Sequence, residues 1–232
     1  MSGDAAGGQT SSAFAERPEA VTSSATVFIV DDNEGMRSSL RWLLEGERFR
    51  VETFASSEDF LQAYLPGTPG CLILDLRMPG MDGLRLQEHL NRLGATLPII
   101  MVSAHAQVPS AVQAMKAGVI DFLEKPFSDR VLIECVQRAL VRDAEQRSAA
   151  ARKAELALRF AKLTERELDV LHLIRRGRSN KVAGKELGLS QKTIEHHRSR
   201  LMEKLDVRSL AELVQMALEH FGPPADSSAP EG

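Results

Sequence analysis

Cys71-Leu72-Ile73-Leu74-Asp75, continuing into Leu76-Arg77-Met78-Pro79-Gly80-Met81-Asp82-Gly83, decides the fold. Four apolar residues end in an acid, and a Pro-Gly turn follows. An apolar run of that length without alternation reads as a strand covered on both faces. Four more runs share the pattern, at residues 27–30, 51–54, 99–102 and 120–123. Segments of helical period lie between and after them, at 36–44, 58–65, 84–93 and 110–117 and from 128 onward. Five strands alternating with five helices give right-handed βαβ units around one parallel sheet, a doubly wound α/β fold of the (βα)5 kind.

Beyond the last strand the composition changes. Residues 128–162 hold no Gly and no Pro and are rich in Ala, Glu, Arg, Lys, Gln and Leu, all helix formers. Leu132, Ile133, Val136, Ala139 and Leu140 form an apolar stripe, and residues 142–153 are charged and Ala-rich. One long helix is expected, or a helix running into a semi-rigid helical linker. From 163 to 221 the period is helical throughout. Thr164-Glu165-Arg166-Glu167 is a capping box. Breaks fall at Gly177 and Gly188, and Ser179, Ser190 and Ser209 stand where further helices start. Four short helices make a small all-α domain. The expected organisation is a disordered leader at 1–24, an α/β domain at 25–142, a helical linker at 143–162, a helical domain at 163–221 and a disordered tail at 222–232.

Composition narrows the setting. The hydrophobic fraction is 43% and the formal net charge is −3, so any nucleic-acid partner needs locally concentrated positive charge. Cys71 and Cys135 lie in apolar surroundings, which points to two buried free thiols and a reducing compartment. No apolar stretch approaches the roughly 18 residues that span a bilayer, and residues 1–10 lack the basic start and apolar core of a secretory signal. A soluble, cytoplasmic protein without a membrane partner is expected.

In an open parallel sheet, ligands gather at the carboxyl ends of the strands. Those ends carry Asp31-Asp32, Asp75, Ser103 and Glu124-Lys125-Pro126. Three acids, a hydroxyl and a lysine therefore converge on one edge. Crowded carboxylates favour a cation, and all-oxygen ligands suit a hard ion such as Mg²⁺. Asp75 then suits the role of nucleophile toward a phosphoryl group, with Lys125 and the cation neutralising the developing charge. Singly, each acid also reads as a turn residue or helix cap.

Four stretches resemble the receiver domain of two-component response regulators: Val30-Asp31-Asp32, the run from Asp75 to Gly83, Ser103-Ala104, and Asp121-Phe122-Leu123-Glu124-Lys125-Pro126-Phe127. The resemblance covers about 120 residues. It implies that Asp75 is the phosphoacceptor. Asp32, Asp75 and the backbone carbonyl of Arg77 would hold Mg²⁺, with Asp31 helping through water. Ser103 and Lys125 would contact the phosphoryl group, and Lys125-Pro126 would be a cis peptide. Ser103 and Phe122 would form the switch, the ring turning inward as Ser103 moves toward the phosphate. That change would remodel the surface of the 108–117 helix and the last strand, promoting homodimerisation. Arg77 and His105, each two residues past a site residue, flank the path of attacking water and are expected to set the phosphate's lifetime.

Residues 175–204 carry nine basic and three acidic side chains, a local excess of six positive charges in an acidic chain. That is the footprint of phosphate contact. The helix from Ser179 to Leu187, the turn Gly188-Leu189 and the helix begun by Ser190 have helix-turn-helix spacing. The second helix of such a motif enters the major groove. Ile194, Leu201 and Leu205 share one face and are expected to pack inward. Leu163-Thr164-Glu165-Arg166-Glu167, Ser179-Asn180-Lys181, Leu187-Gly188-Leu189-Ser190 and Thr193-Ile194-Glu195-His196-His197-Arg198 resemble the LuxR-type (NarL/FixJ-type) helix-turn-helix. The resemblance implies base contacts from Glu195, His196 and Ser199. It implies double-stranded-DNA backbone contacts from Lys181, Lys192, Thr193, His197, Arg200 and Lys204. One departure stands out: Ala183 and then Gly184 replace the family's large aliphatic residue and Ala, so either the recognition helix packs closer or the domain is less stable.

Both domains together are similar to response regulators of the FixJ type. That resemblance implies phosphorelay from a sensor histidine kinase, transcription regulation through the helix-turn-helix, RNA polymerase as a further partner, and no metabolic turnover. A phosphohydrolase of similar sheet is disfavoured, because its second Asp, two residues after the nucleophile, is replaced by Arg77. A phosphate-independent regulator is disfavoured by the complete set of site residues.

Overall fold

The parallel sheet forms with strand order β2-β1-β3-β4-β5. The computed structural model describes residues 25–104, 112 and 114–224. The strands are β1 (Thr26–Val30), β2 (Arg50–Phe54), β3 (Gly70–Asp75), β4 (Ile99–Ser103) and β5 (Asp121–Glu124). Helices α1 (Glu34–Gly46), α2 (Ser57–Ala63) and α3 (Gly83–Arg92) connect them, and α4 (Asp129–Phe160) follows β5. The helix expected at 110–117 falls partly outside the described residues. Of it, Val112 and residues 114–116 are helical. The expected leader, and the tail from residue 225 on, also lie outside them.

Period-two alternation sorts each strand into two cores. Val27, Ile29, Cys71, Ile73, Ile100 and Val102 pack with Leu40 and Leu44 of α1 and with Leu132, Val136 and Leu140 of α4. Phe28, Val30, Leu72, Leu74, Ile99 and Met101 pack on the other face with Phe60 of α2, Tyr64, and Leu86 and Leu90 of α3. β1, β3 and β4 are buried throughout, whereas the edge strands β2 and β5 are mostly half-buried. Each of the first three helices starts on a side-chain cap: Asn33, Ser56 and Asp82 accept from the backbone N–H of Met36, Asp59 and Arg85. Cys71 and Cys135 are buried free thiols, as expected.

The chain divides into two units, Met1–Gln146 and Arg147–Gly232. The stretch expected as a linker, 143–162, contributes to both. Asp143 is buried and accepts from the Gly70 N–H at 3.1 Å, within the first unit. Leu156 and Phe160 are buried in the core of the second. Its helices are α5 (Glu165–Arg175), α6 (Asn180–Leu187), α7 (Gln191–Leu205) and α8 (Leu210–Phe221). Thr164 closes the capping box with Glu167, and Ser179, Ser190 and Ser209 cap the next three.

Gly184 settles the question its sequence raised. A Cβ there would lie 2.7 Å from the Leu189 carbonyl oxygen, a backbone atom that cannot swing aside. The turn into α7 therefore packs closer than an alanine permits. Gly188 ends α6 in the left-handed region, at φ 68°. Gly184→Ala is expected to cost the C-terminal unit about 2 kcal/mol by overpacking. That exceeds the ~1 kcal/mol that alanine's helix preference returns, so calorimetry should show a lower Tm for this unit.

Candidate functional site

Strand register builds the first site. Val30 pairs with Leu74, so Asp31 stands level with Asp75. Asp75 pairs with Val102, and Ser103 pairs with Glu124, so Ser103 and Lys125 stand beside them at the same edge. The Lys125 Nζ donates to Asp31 Oδ2 at 2.7 Å and to Asp75 Oδ1 at 2.6 Å. Asp31, Asp75 and Ser103 are buried, whereas Asp32 is exposed. The Lys125–Pro126 bond is cis.

The remaining carboxylate oxygens are also placed. Asp31 Oδ1 accepts from the Asn33 N–H at 2.9 Å, and Asp75 Oδ2 accepts from the Arg77 N–H at 2.8 Å. Asp31 is therefore held by Lys125 and its own turn, and Asp32 is the acid left facing solvent. Burial pushes the Asp75 carboxyl above the usual carboxylate range, with Lys125 pulling the other way. Burial works to lower the Lys125 ammonium, but hydrogen bonds and charge from Asp31 and Asp75 outweigh it and hold it protonated.

Two contributors were not legible beforehand. Arg37 Nη1 donates to the Asp31 carbonyl at 2.7 Å, tying α1 to the end of β1. Gly83 starts α3 so close to β3 that a Cβ would lie 2.4 Å from the Asp75 carbonyl oxygen. Gly83 stood in the decisive stretch, but only coordinates show the close approach. Phe122 is half-buried against the second core, and its N–H donates to Asp121 Oδ1 at 3.0 Å. Arg77 is exposed. His105 lies outside the described residues.

Asp31, Asp32 and Asp75 gather at this edge beside a single lysine. An all-oxygen donor set of that kind matches a hard divalent cation, which for Mg²⁺ needs only one or two carboxylates beside water. Among the described residues, no three His, Cys, Asp or Glu side chains form a ready-made cage.

The second site is the α6–α7 pair. Ile194, Leu201 and Leu205 are buried, as their spacing predicts. Lys181, Lys192, Glu195, His196, Ser199 and Arg200 are exposed, and Thr193 and His197 are half-buried. The Thr193 N–H donates to the Ser190 cap at 3.1 Å. Arg198, which carried no assigned role, donates to Asn180 Oδ1 and joins α7 to α6. Gln191 donates to Glu195 Oε1 at 3.1 Å, which orders that carboxylate on the exposed face.

Lys204 is engaged within the unit. Its ammonium donates to the buried Glu167 carboxylate at 2.7 Å and to the Lys162 carbonyl at 3.3 Å. The resemblance places it among the DNA-backbone contacts, and here a buried carboxylate, which needs a partner, takes it as one. Lys204 fastens the end of α7 to α5.

A receiver-type carboxylate edge and a basic helix-turn-helix in one chain define a DNA-binding response regulator. The chain belongs to that family: residues 27–137 match the response regulator receiver domain, and residues 161–217 match the luxR family of bacterial regulatory proteins. It is similar to the transcriptional regulatory protein FixJ of Azorhizobium caulinodans, 42% identical over 207 residues, covering 89% of this chain and 98% of that protein. It is also similar to nodulation protein W of Bradyrhizobium diazoefficiens, 40% identical over 193 residues, covering 83% of this chain and 85% of that protein. Among solved structures it is similar to the response regulator StyR, with a TM-score of 0.78 at 43% identity, covering 85% of this chain and all of that one. The protein is thus a DNA-binding regulator of transcription, and its family does not turn over a metabolite. A sensor kinase and DNA are the partners these domains imply. Among the described residues, no helix is long and apolar enough to cross a membrane.

Glu167 supplies a pH test of the second unit. Burial works to raise its carboxyl, but hydrogen bonds from Lys204 and from the Thr164 N–H and hydroxyl hold it below the ordinary value of 4.5. A depressed folded value means stability that is complete above the unfolded pKa and lost as pH falls through the folded one. Calorimetry across the acid range should show the C-terminal unit weakening below pH 4.5. Glu167→Gln should flatten that slope and lower stability at neutral pH.

Proposed function

We propose that Asp75 accepts a phosphoryl group from the phosphohistidine of a sensor kinase, and that this controls DNA binding by α7. The observation that carries this reading is the Lys125 ammonium, 2.6 Å from Asp75 Oδ1 and anchored on its other side by Asp31. An Asp75 oxygen attacks phosphorus, the phosphorus–nitrogen bond breaks, and the kinase imidazole leaves. Lys125 receives the developing charge on a phosphoryl oxygen, and the Ser103 hydroxyl donates to another. Asp32, Asp75 and the carbonyl of Arg77 would hold Mg²⁺, with Asp31 acting through water. When bound, the ion supplies a fixed positive charge to the phosphoryl oxygens. The receiver thus speeds gain and loss of its own phosphoryl group without acting as an enzyme on metabolites.

Ser103 and Phe122 serve as the switch, Ser103 moving to the phosphate and the ring filling the space it leaves. Val112 and Met115, within the stretch expected to be remodelled, are exposed, which supports homodimerisation of the phosphorylated form. On DNA, Glu195, His196 and Ser199 meet base edges. Lys181, Lys192, Thr193, His197 and Arg200 meet the backbone, and RNA polymerase is a further partner. Buried free thiols and a DNA partner support a cytoplasmic setting.

Acetyl phosphate with Mg²⁺ should give one labile adduct by mass spectrometry, and Asp75→Asn should abolish it. A native chain that takes no label sinks the proposal. For the interface, Lys192→Ala should weaken binding to all sequences alike. It should also reduce the slope of log affinity against log salt by about 1, as read by fluorescence anisotropy across a salt series.

A further inference from the structure

The loop between β3 and α3, residues 76–82, leaves Asp75 and carries the Arg77 carbonyl. Its base is closed by the strand-like bond from the Leu76 N–H to the Val102 carbonyl at 2.8 Å and by the Gly83 N–H donating to the Leu76 carbonyl at 3.1 Å. Its far side is held by a different element. The Ser57 hydroxyl, fully buried at the first turn of α2, donates to the Met81 carbonyl at 2.8 Å. The next residue, Glu58, accepts from the Met81 N–H at 3.2 Å through Oε1. Both backbone polar groups of Met81 are thus bound by two consecutive side chains more than twenty positions earlier in the chain.

Gly80 explains how the carboxylate gets there. A Cβ at Gly80 would lie 3.2 Å from Glu58 Oε1, and Gly80 has a φ of +77°. The loop backbone turns left-handed at Gly80 and leaves room for Glu58 to reach Met81. Removing the buried Ser57 hydroxyl takes this donor from the Met81 carbonyl, so this is a specific lock rather than incidental surface bonding.

We propose that Ser57 and Glu58 are positioning residues for the phosphoryl site. They fix the loop at Met81 and thereby fix where the Arg77 carbonyl stands relative to Asp75. The inference rests on the proposed role of Asp75 and its cation. Neither residue touches the reacting atoms. Each acts through the loop, as outer partners of metal ligands do, where substitution commonly costs about tenfold to a hundredfold in metal affinity.

The test is Mg²⁺ titration of the full chain by calorimetry, beside the rate of labelling by acetyl phosphate. Ser57→Ala and Glu58→Ala are each expected to weaken Mg²⁺ binding about tenfold and to slow labelling at limiting Mg²⁺ but not at saturation. Glu58→Gln keeps a carbonyl acceptor for the Met81 N–H and is expected to restore native affinity. If Ser57→Ala does not fold, Glu58→Ala and Glu58→Gln decide the matter, since Glu58 is exposed. Native Mg²⁺ affinity in Glu58→Ala, or equal losses in Glu58→Ala and Glu58→Gln, overturns the clamp. A native chain that never labels at Asp75 instead overturns the function on which the clamp depends.

Discussion

One ammonium between two carboxylates organises the receiver edge. Lys125 stands 2.7 Å from Asp31 and 2.6 Å from Asp75, and both acids are largely removed from water. Two carboxylates at that spacing repel unless a cation sits between them. The cation arrives from β5, two strands away from β3 across β4, so the site exists only when all of β1, β3, β4 and β5 are in register. The geometry of this edge and the sheet topology are therefore one constraint. A slip of one residue in any pair would leave a charge buried without its partner.

The C-terminal unit repeats the logic with a different purpose. Glu167 is buried, capped onto the start of α5 and bonded to Lys204 at the end of α7. Asn180 and Arg198 join α6 to α7 nearer its start. Arg159 donates to the Leu205 carbonyl at 3.3 Å, closing the last turn of α7. Charged groups that in sequence look like one basic surface divide into those bonded within the unit, such as Arg198 and Lys204, and those left exposed, such as Lys181, Lys192 and Arg200.

Much of this was legible from residue order. Apolar runs located all five strands to within a residue or two, and Thr164, Ser179, Ser190 and Ser209 marked their helices because a capping hydroxyl has a local cause. The convergence of Asp31, Asp75 and Lys125 followed from where acids stand at strand ends. What stayed hidden was non-local. Nothing near Lys204 in sequence shows that Glu167 lies buried beside it. Nothing near Met81 shows that Ser57 and Glu58 bind it. Gly83 and Gly184 matter through distances to Asp75 and Leu189 backbone atoms, which composition does not record. Asp143 reads as one more solvated charge in a helical run, yet it is buried against Gly70.

Leu156 and Phe160 carry one more implication. Both lie upstream of the point where the luxR-family match begins, yet both fill the core beneath α5, α7 and α8. The boundary of the second unit therefore does not fall where the motif starts. A chimera that exchanges this unit keeps its core whole when the cut is near residue 147, so that the final turns of α4 travel with it. A splice made at the motif's edge would transplant a recognition surface whose floor had been left behind in the donor.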